Sequence, residues 1–143
     1  MPCNVFSSVK RPGLPPKRVR SIVDSVFSGE RKRQYEISIH FVGDMKIRSL
    51  NRVYRGKDAV TDVLSFGTEN GLYGDDRNND FGDIFICTPQ ILRQAKECGV
   101  PFGEECARMI IHGILHILGY DHKKSIGAKK MFFKQERLVE KNL

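Results

Sequence analysis

No two cysteines in this sequence stand at C-x-x-C spacing. Cys3, Cys87, Cys98 and Cys106 are scattered singly along 143 residues. That excludes a cysteine-built zinc knuckle or dithiol redox motif, and it suggests reduced thiols used as small core residues. Long hydrophobic runs are missing as well. Nothing approaches the eighteen or so apolar residues of a membrane span, so no membrane partner is expected. The opening MPCNVFSSVKRPG has no apolar centre of the secretory kind, and a cytoplasmic location is the matching expectation. Repeats, low-complexity tracts and interior linkers are absent, so residues 1–143 are read as one domain, long enough to bury a core without staples.

Acidic residues are sparse at both ends. Residues 8–33 carry eight Lys or Arg against Asp24 and Glu30, and residues 123–143 carry seven against Glu136 and Glu140. The net charge is +7. Basic surfaces of this kind suit a polyanion such as RNA, or an acidic membrane face. They also occur as plain solvated surface, and composition does not separate these readings.

Periodicity supplies the elements. Strands are expected at Cys3–Ser7, Tyr35–Val42 (Ile37, Ile39 and Phe41 alternating), Val63–Phe66 and Asp83–Cys87. Helical spacing marks Leu14–Phe27, then a helix capped by Asp44 with Ile47, Leu50 and Tyr54 on one face. A third helix opens on Thr88 as cap with Pro89 at its first position and closes at Gly99. Glu104–Leu118 is apolar over most of its surface and is expected to be central. Ser125–Leu143 is basic outside, with Met131, Phe132, Leu138 and Val139 as core contacts. Residues 67–82 read as a loop. Asp76, Asn78 and Asp80 are spaced like calcium ligands, but Gly82 falls one place late and Cys87 occupies the bidentate Glu position, so calcium is not expected. The fold class is α+β (mixed α/β), a single small sheet covered by helices.

Histidine is scarce, and its placement carries the chemistry. Three of the four histidines, His112, His116 and His122, lie within eleven residues, HGILHILGYDH. Positions i and i+4 share a helix face, so His112 and His116 can aim at one point. Gly119 permits the left-handed turn that ends a helix, and His122 can then return to that point. Three imidazoles leave a fourth zinc position open, the catalytic arrangement. A single histidine in an apolar helix is usually a core residue; three at ligand spacing are not. His40, alone in a strand, is expected to be structural. The spacing is that of the metzincin proteases, whose Glu after the first histidine serves as general base. Here Gly113 stands at that place, which removes the base and argues for another substrate.

The same segment resembles the signature of the YbeY family, bacterial and organellar endoribonucleases of ribosomal RNA maturation. A second block, Asn51 to Phe66 (NRVYRGKDAVTDVLSF), is similar to that family's N-x-x-Y-R-x-x-D-x-x-T-D-V-L-S-F. Gly82-Asp83-Ile84 matches its strand start, and Met131 and Glu136 fit its last helix. The resemblance spans about Ile39 to Leu138. Gly67 and Val60 depart from usual prolines and Ile117 from a usual Leu; none of these is a ligand. The resemblance implies a zincin-like three-histidine site on a helix and the turn after it, one Zn2+ (or another divalent transition metal) and no small-molecule cofactor. It also implies that Arg55 faces the cleft, where a guanidinium suits a phosphodiester. The residues alone equally allow an Arg55 ion pair with Asp58 or Asp62. Asp62, Asp83 and Asp121 are open between turn chemistry and support of an imidazole, and Ser65 between substrate contact and strand end.

The reading is a single-strand-specific, metal-dependent endoribonuclease in rRNA maturation (16S rRNA 3′-end processing) and ribosome quality control. Its partners are RNA and the ribosome or ribosomal proteins. Arg55 is the catalytic residue and His112, His116 and His122 hold the metal. The residues name no general base, and cleavage through the RNA's own 2′-OH is equally open. Two alternatives stand beside it: a non-catalytic ribosome assembly factor with a structural metal, and a divergent metallohydrolase or protease.

Overall fold

The computed structural model describes residues 3–28, 36–67, 80–120 and 125–143. Its elements run β1 (Cys3–Ser7), α1 (Pro16–Phe27), β2 (Glu36–Val42), α2 (Asp44–Arg55), β3 (Val63–Gly67), β4 (Asp80–Cys87), α3 (Thr88–Cys98), α4 (Phe102–Ile117) and α5 (Ser125–Lys141). The α+β expectation holds, with one four-stranded sheet in the order β1-β2-β4-β3. β1, β2 and β4 run parallel, and β3 returns antiparallel along the free side of β4. Among the described residues β3 is therefore an outer strand, and the site lies beside it.

Several boundaries differ from the sequence expectation, each for a local reason. α1 begins at Pro16 rather than Leu14, because proline's fixed φ suits the first turn while the residue before it is kept extended. Asp44 is the first residue of α2, not its cap. Its carboxylate takes the Arg93 guanidinium at 2.8 Å instead of a backbone amide. That contact, chiefly, holds the Asp44 carboxyl below its usual range. Thr88 likewise is not a cap, since β4 runs straight through Cys87 into α3 and the Cys87 amide donates to the Asp62 carbonyl at 2.9 Å.

Strand alternation splits the sheet into two cores. On one face Ile37, Ile39, Phe41, Ile84 and Ile86 pack with α1 and with Ile110, Ile111 and Ile114 of α4. On the other, Val42, Leu64, Phe66, Phe85 and Cys87 pack with Ile47 and Leu50 of α2. Each fully buried isoleucine stabilises the fold by about 1.5–3 kcal/mol relative to exposure. The cysteines behave as core filler where they are buried: burial pushes the thiols of Cys87 and Cys106 up to about 12 and that of Cys3 up to about 11. One core expectation fails. Met131 and Val139 are buried and Leu138 packs beside them, but Phe132 is 63% exposed. Met131 and Val139 lie eight residues apart, two turns along one face, and position 132 is rotated away from it.

α4 crosses β3 and β4 at Gly113, and the crossing is tight. A methyl group at Gly113 would stand 2.9 Å from Ser65 Oγ and 3.0 Å from Ile84 Cγ2. Hydrogen there lets the helix settle against the sheet; any side chain would push it away.

Two outcomes are expected in urea melts. Ile39→Ala should lower the unfolding free energy by about 2–5 kcal/mol, as buried Ile truncations do, whereas Phe132→Ala should stay within about 0.5 kcal/mol. Gly113→Ala should cost about 1 kcal/mol, because overpacking of about 1–3 kcal/mol exceeds alanine's helix advantage of about 1 kcal/mol. A stabilised Gly113→Ala protein would show that α4 is not pressed against the sheet.

Candidate active site

The cleft lies along the outer edge of β3. It encloses about 360 Å³ and is walled by Val63 to Ser65, by Asn51 and Arg55 of α2, by Lys57, Thr61 and Asp62 of the connection, and by His112 and His116 of α4. The structure thus brings Arg55 and two of the three expected ligands into one cavity. His122 and Asp121 lie outside the described residues, as do Asp76 and Asn78 of the loop considered for calcium. Among the described residues, no group of three potential ligands converges.

The turn that should bring His122 back does begin as expected. The Tyr120 amide donates to the Leu115 carbonyl at 3.1 Å and the Gly119 amide to the His116 carbonyl at 3.1 Å. This pair of bonds is the Schellman stop, with Gly119 at φ +101°. The helix ends within one turn of His116.

A chain of polar contacts fixes the ring of His112. Arg108, one turn earlier on α4, binds Glu105 at 2.7 Å, Glu136 of α5 at 2.9 Å and Glu104 at 3.2 Å. Burial raises the Glu136 carboxyl, but the Arg108 bonds and the Gln135 amide outweigh it and hold it below its usual range. As a carboxylate it only accepts, so Gln135 Nε2 donates to it at 3.1 Å. That orients the Gln135 amide with Oε1 toward His112 Nδ1 at 2.7 Å. An amide oxygen cannot donate, so Nδ1 carries the proton and Nε2 is the lone-pair nitrogen of the neutral ring. Support of this kind under an imidazole is what metal ligands commonly have. The two described imidazoles, on one helix face and one with its tautomer fixed, are donors of the kind a zinc-class ion takes, and they share the cleft with the Arg55 guanidinium.

Gln135 escaped the sequence reading, although a signal existed. It is 6% exposed and lies one turn from both Met131 and Val139 in the buried stripe of α5. A polar residue in an apolar stripe needs a partner, yet the sequence could not say that the partner lay 23 positions away.

Arg55 makes neither ion pair open to it in the sequence. Asp58 is taken by Arg48 at 2.8 Å, and Asp62 accepts from the Val63 amide at 2.8 Å, which is turn chemistry. Arg55 Nη2 donates instead to the Ser65 carbonyl at 2.8 Å, and its guanidinium lies 4.8 Å above the Phe66 ring. Behind that ring runs an aromatic ladder crossing the sheet in strand order. Phe6 stacks on His40 at 5.0 Å and His40 on Phe85 at 4.3 Å. Phe85 meets Phe66 edge-on at 5.8 Å, and Phe66 meets Tyr54 at 5.4 Å. Within the ladder His40 binds the buried Asp83 carboxylate at 2.9 Å. Both are structural, and Asp83 supports no cleft histidine.

Gly113 also explains the missing general base. The metzincin Glu position faces β3 and β4, where a Cβ would already stand 2.9 Å from Ser65 Oγ and 3.0 Å from Ile84 Cγ2, so a carboxylate fits there only if these side chains are displaced.

Comparison with known proteins identifies the family and the fold. The family model described as Endoribonuclease YbeY matches residues 10–142. The chain is similar to Endoribonuclease YbeY of Persephonella marina, at 41% identity over 87% of this chain and 81% of that one. It resembles the Geobacter sulfurreducens protein of the same description at 34% over 90% and 87%, and that of Halalkalibacterium halodurans at 43% over 73% and 70%. The solution structure of TM1509 from Thermotoga maritima superposes with a TM-score of 0.67 at 28% identity, covering 98% of this chain and 88% of that one. Family model, relatives and fold agree: the chain belongs to the Endoribonuclease YbeY family.

Proposed function

We propose that the cleft along β3 is the active site of a single-strand-specific, metal-dependent endoribonuclease that matures ribosomal RNA, with 16S rRNA 3′-end processing and ribosome quality control as its setting. The activity class follows from the family: the chain is an endoribonuclease and its substrate is RNA. His112, His116 and His122 would hold one Zn2+. Bound there, the ion supplies a Lewis-acid charge beside the phosphoryl oxygen and lowers the pKa of water. Gln135 keeps His112 in the tautomer that can ligate. Arg55 holds the phosphodiester and meets the negative charge that builds on its oxygens. Ribosomal proteins are the expected partners, and the cytoplasm the expected compartment. The free cysteines suit that compartment, and among the described residues no helix is long and apolar enough to cross a membrane.

The observation that carries this reading is the Arg55 guanidinium in the same cleft as His112 and His116. The same arginine counts against peptide hydrolysis. A peptide seated on an outer strand needs that strand's carbonyls, and Arg55 already occupies that of Ser65.

Cleavage of a ribosomal RNA fragment with an unprocessed 3′ end tests the assignment. Arg55→Ala, folded, should lose about 10²–10³-fold in rate, the usual effect of deleting one charge-stabilising donor, and His116→Ala, folded, should lose at least as much with its metal ligand gone. Equal cutting by all three proteins would remove these residues from the chemistry and favour an assembly factor. Gln135→Leu should bind zinc about 10–100-fold more weakly in a chelator competition, with its melting temperature checked in parallel. Unchanged affinity would end the positioning role of Gln135.

A further inference from the structure

A second cavity, larger than the cleft at about 780 Å³, lies along α5 and has no part in the chemistry above. Its wall is one continuous helix face. Lys129, Phe133, Arg137 and Lys141 follow at intervals of four, and Lys130, Lys134 and Leu138 form the row beside them. Neighbours at i and i+4 lie about 6 Å apart, and the face is about 18 Å long at 1.5 Å per residue. Among the described residues five cations line it and no acid does. The two acids of this helix lie elsewhere: Glu136 is turned to Arg108, and Glu140 is not among the lining residues.

Two aromatic rings stand among these charges. Phe133 is 69% exposed, a large apolar ring left in water. Tyr120 lies across from α5 with Lys134 Nζ 5.3 Å from its ring centre. Tyr120 is also the residue that closes the turn at the end of α4. The groove thus opens where the helix bearing His112 and His116 stops.

We infer that this groove is a track for single-stranded RNA lying to one side of the scissile bond. Its cations take successive phosphates, and Phe133 offers a face on which one base stacks. The inference rests on the endoribonuclease reading of the cleft and adds to it a place for the flanking strand. Regularly spaced single positive charges match a polymer that repeats single negative charges, and an exposed ring among cations is the usual platform for unpaired bases. A membrane surface fits less well, because an interfacial helix needs a broad apolar face. The apolar face of α5, with Met131 and Val139, is already spent on the core.

Anisotropy with a short labelled 2′-O-methyl oligouridylate, on the zinc-loaded full chain, tests this. Phe133→Ala should bind about tenfold more weakly, the loss of one stacked base, and Phe133→Tyr should restore binding. The triple variant Lys129→Gln, Lys130→Gln, Arg137→Gln should lower the slope of log affinity against log salt by about 2, at roughly 0.7 per phosphate lost. All these side chains stand off the core, and cutting of a substrate too short to reach α5 should be unchanged. Wild-type affinity and slope in the variants overturn the track while leaving the cleft assignment intact. Conversely, groove variants that bind weakly while Arg55→Ala cuts normally would uphold the track and sink the cleft assignment. Phosphatidylserine vesicles serve as the second probe: if they lose binding to the variants while the oligonucleotide does not, the occupant is a membrane and the inference fails.

Discussion

The site depends on how closely α4 lies against β3 and β4. At Gly113 the helix lies so close to Ser65 and Ile84 that a methyl group would crowd both side chains. That approach sets His112 and His116 beside the outer strand rather than above the middle of the sheet. Because β3 is the outermost of the described strands, the histidines lie beside its outer edge, and α2 reaches the same edge from the opposite face with Arg55. Two cores on two sides of the sheet, each ordinary by itself, thereby deliver a guanidinium and two imidazoles to one cavity.

What holds these groups is different on each side. His112 is fixed by directional bonds that each remove a choice: Arg108 ionises Glu136, Glu136 orients Gln135, and Gln135 assigns the proton of His112. Half-buried networks of this kind are costly when incomplete and rigid when complete. Arg55 is fixed by a carbonyl and an aromatic face. Those contacts direct the head group without neutralising it, which leaves its charge available to an anion.

Much of this was legible in the sequence, and the misses have physical causes. All nine elements were expected, because alternation in β2 and fourfold spacing in α1 and α4 are strong local signals. Helix starts were less legible: Asp44 and Thr88 have the chemistry of caps, but a distant arginine and an unbroken strand claimed those positions. Phe132 was misplaced because a run of apolar residues on an amphipathic helix does not announce which member faces out. The paired histidines and Arg55 stood out by spacing and by family resemblance. The Gln135–His112 bond, the stacking of His40 and the alignment of the α5 cations come from pairings between residues distant in sequence or from a helix phase, and neither is written in a local pattern.

The Arg55–Ser65 contact has a consequence for the protein before it meets any substrate. The unpaired carbonyls of an outer strand invite another copy of the same strand, and edge-to-edge stacking of that kind leads to insoluble assemblies. A charged group seated on the Ser65 carbonyl obstructs such stacking at the middle of β3. The contact that steers Arg55 toward the cleft therefore also covers a carbonyl that another strand would use.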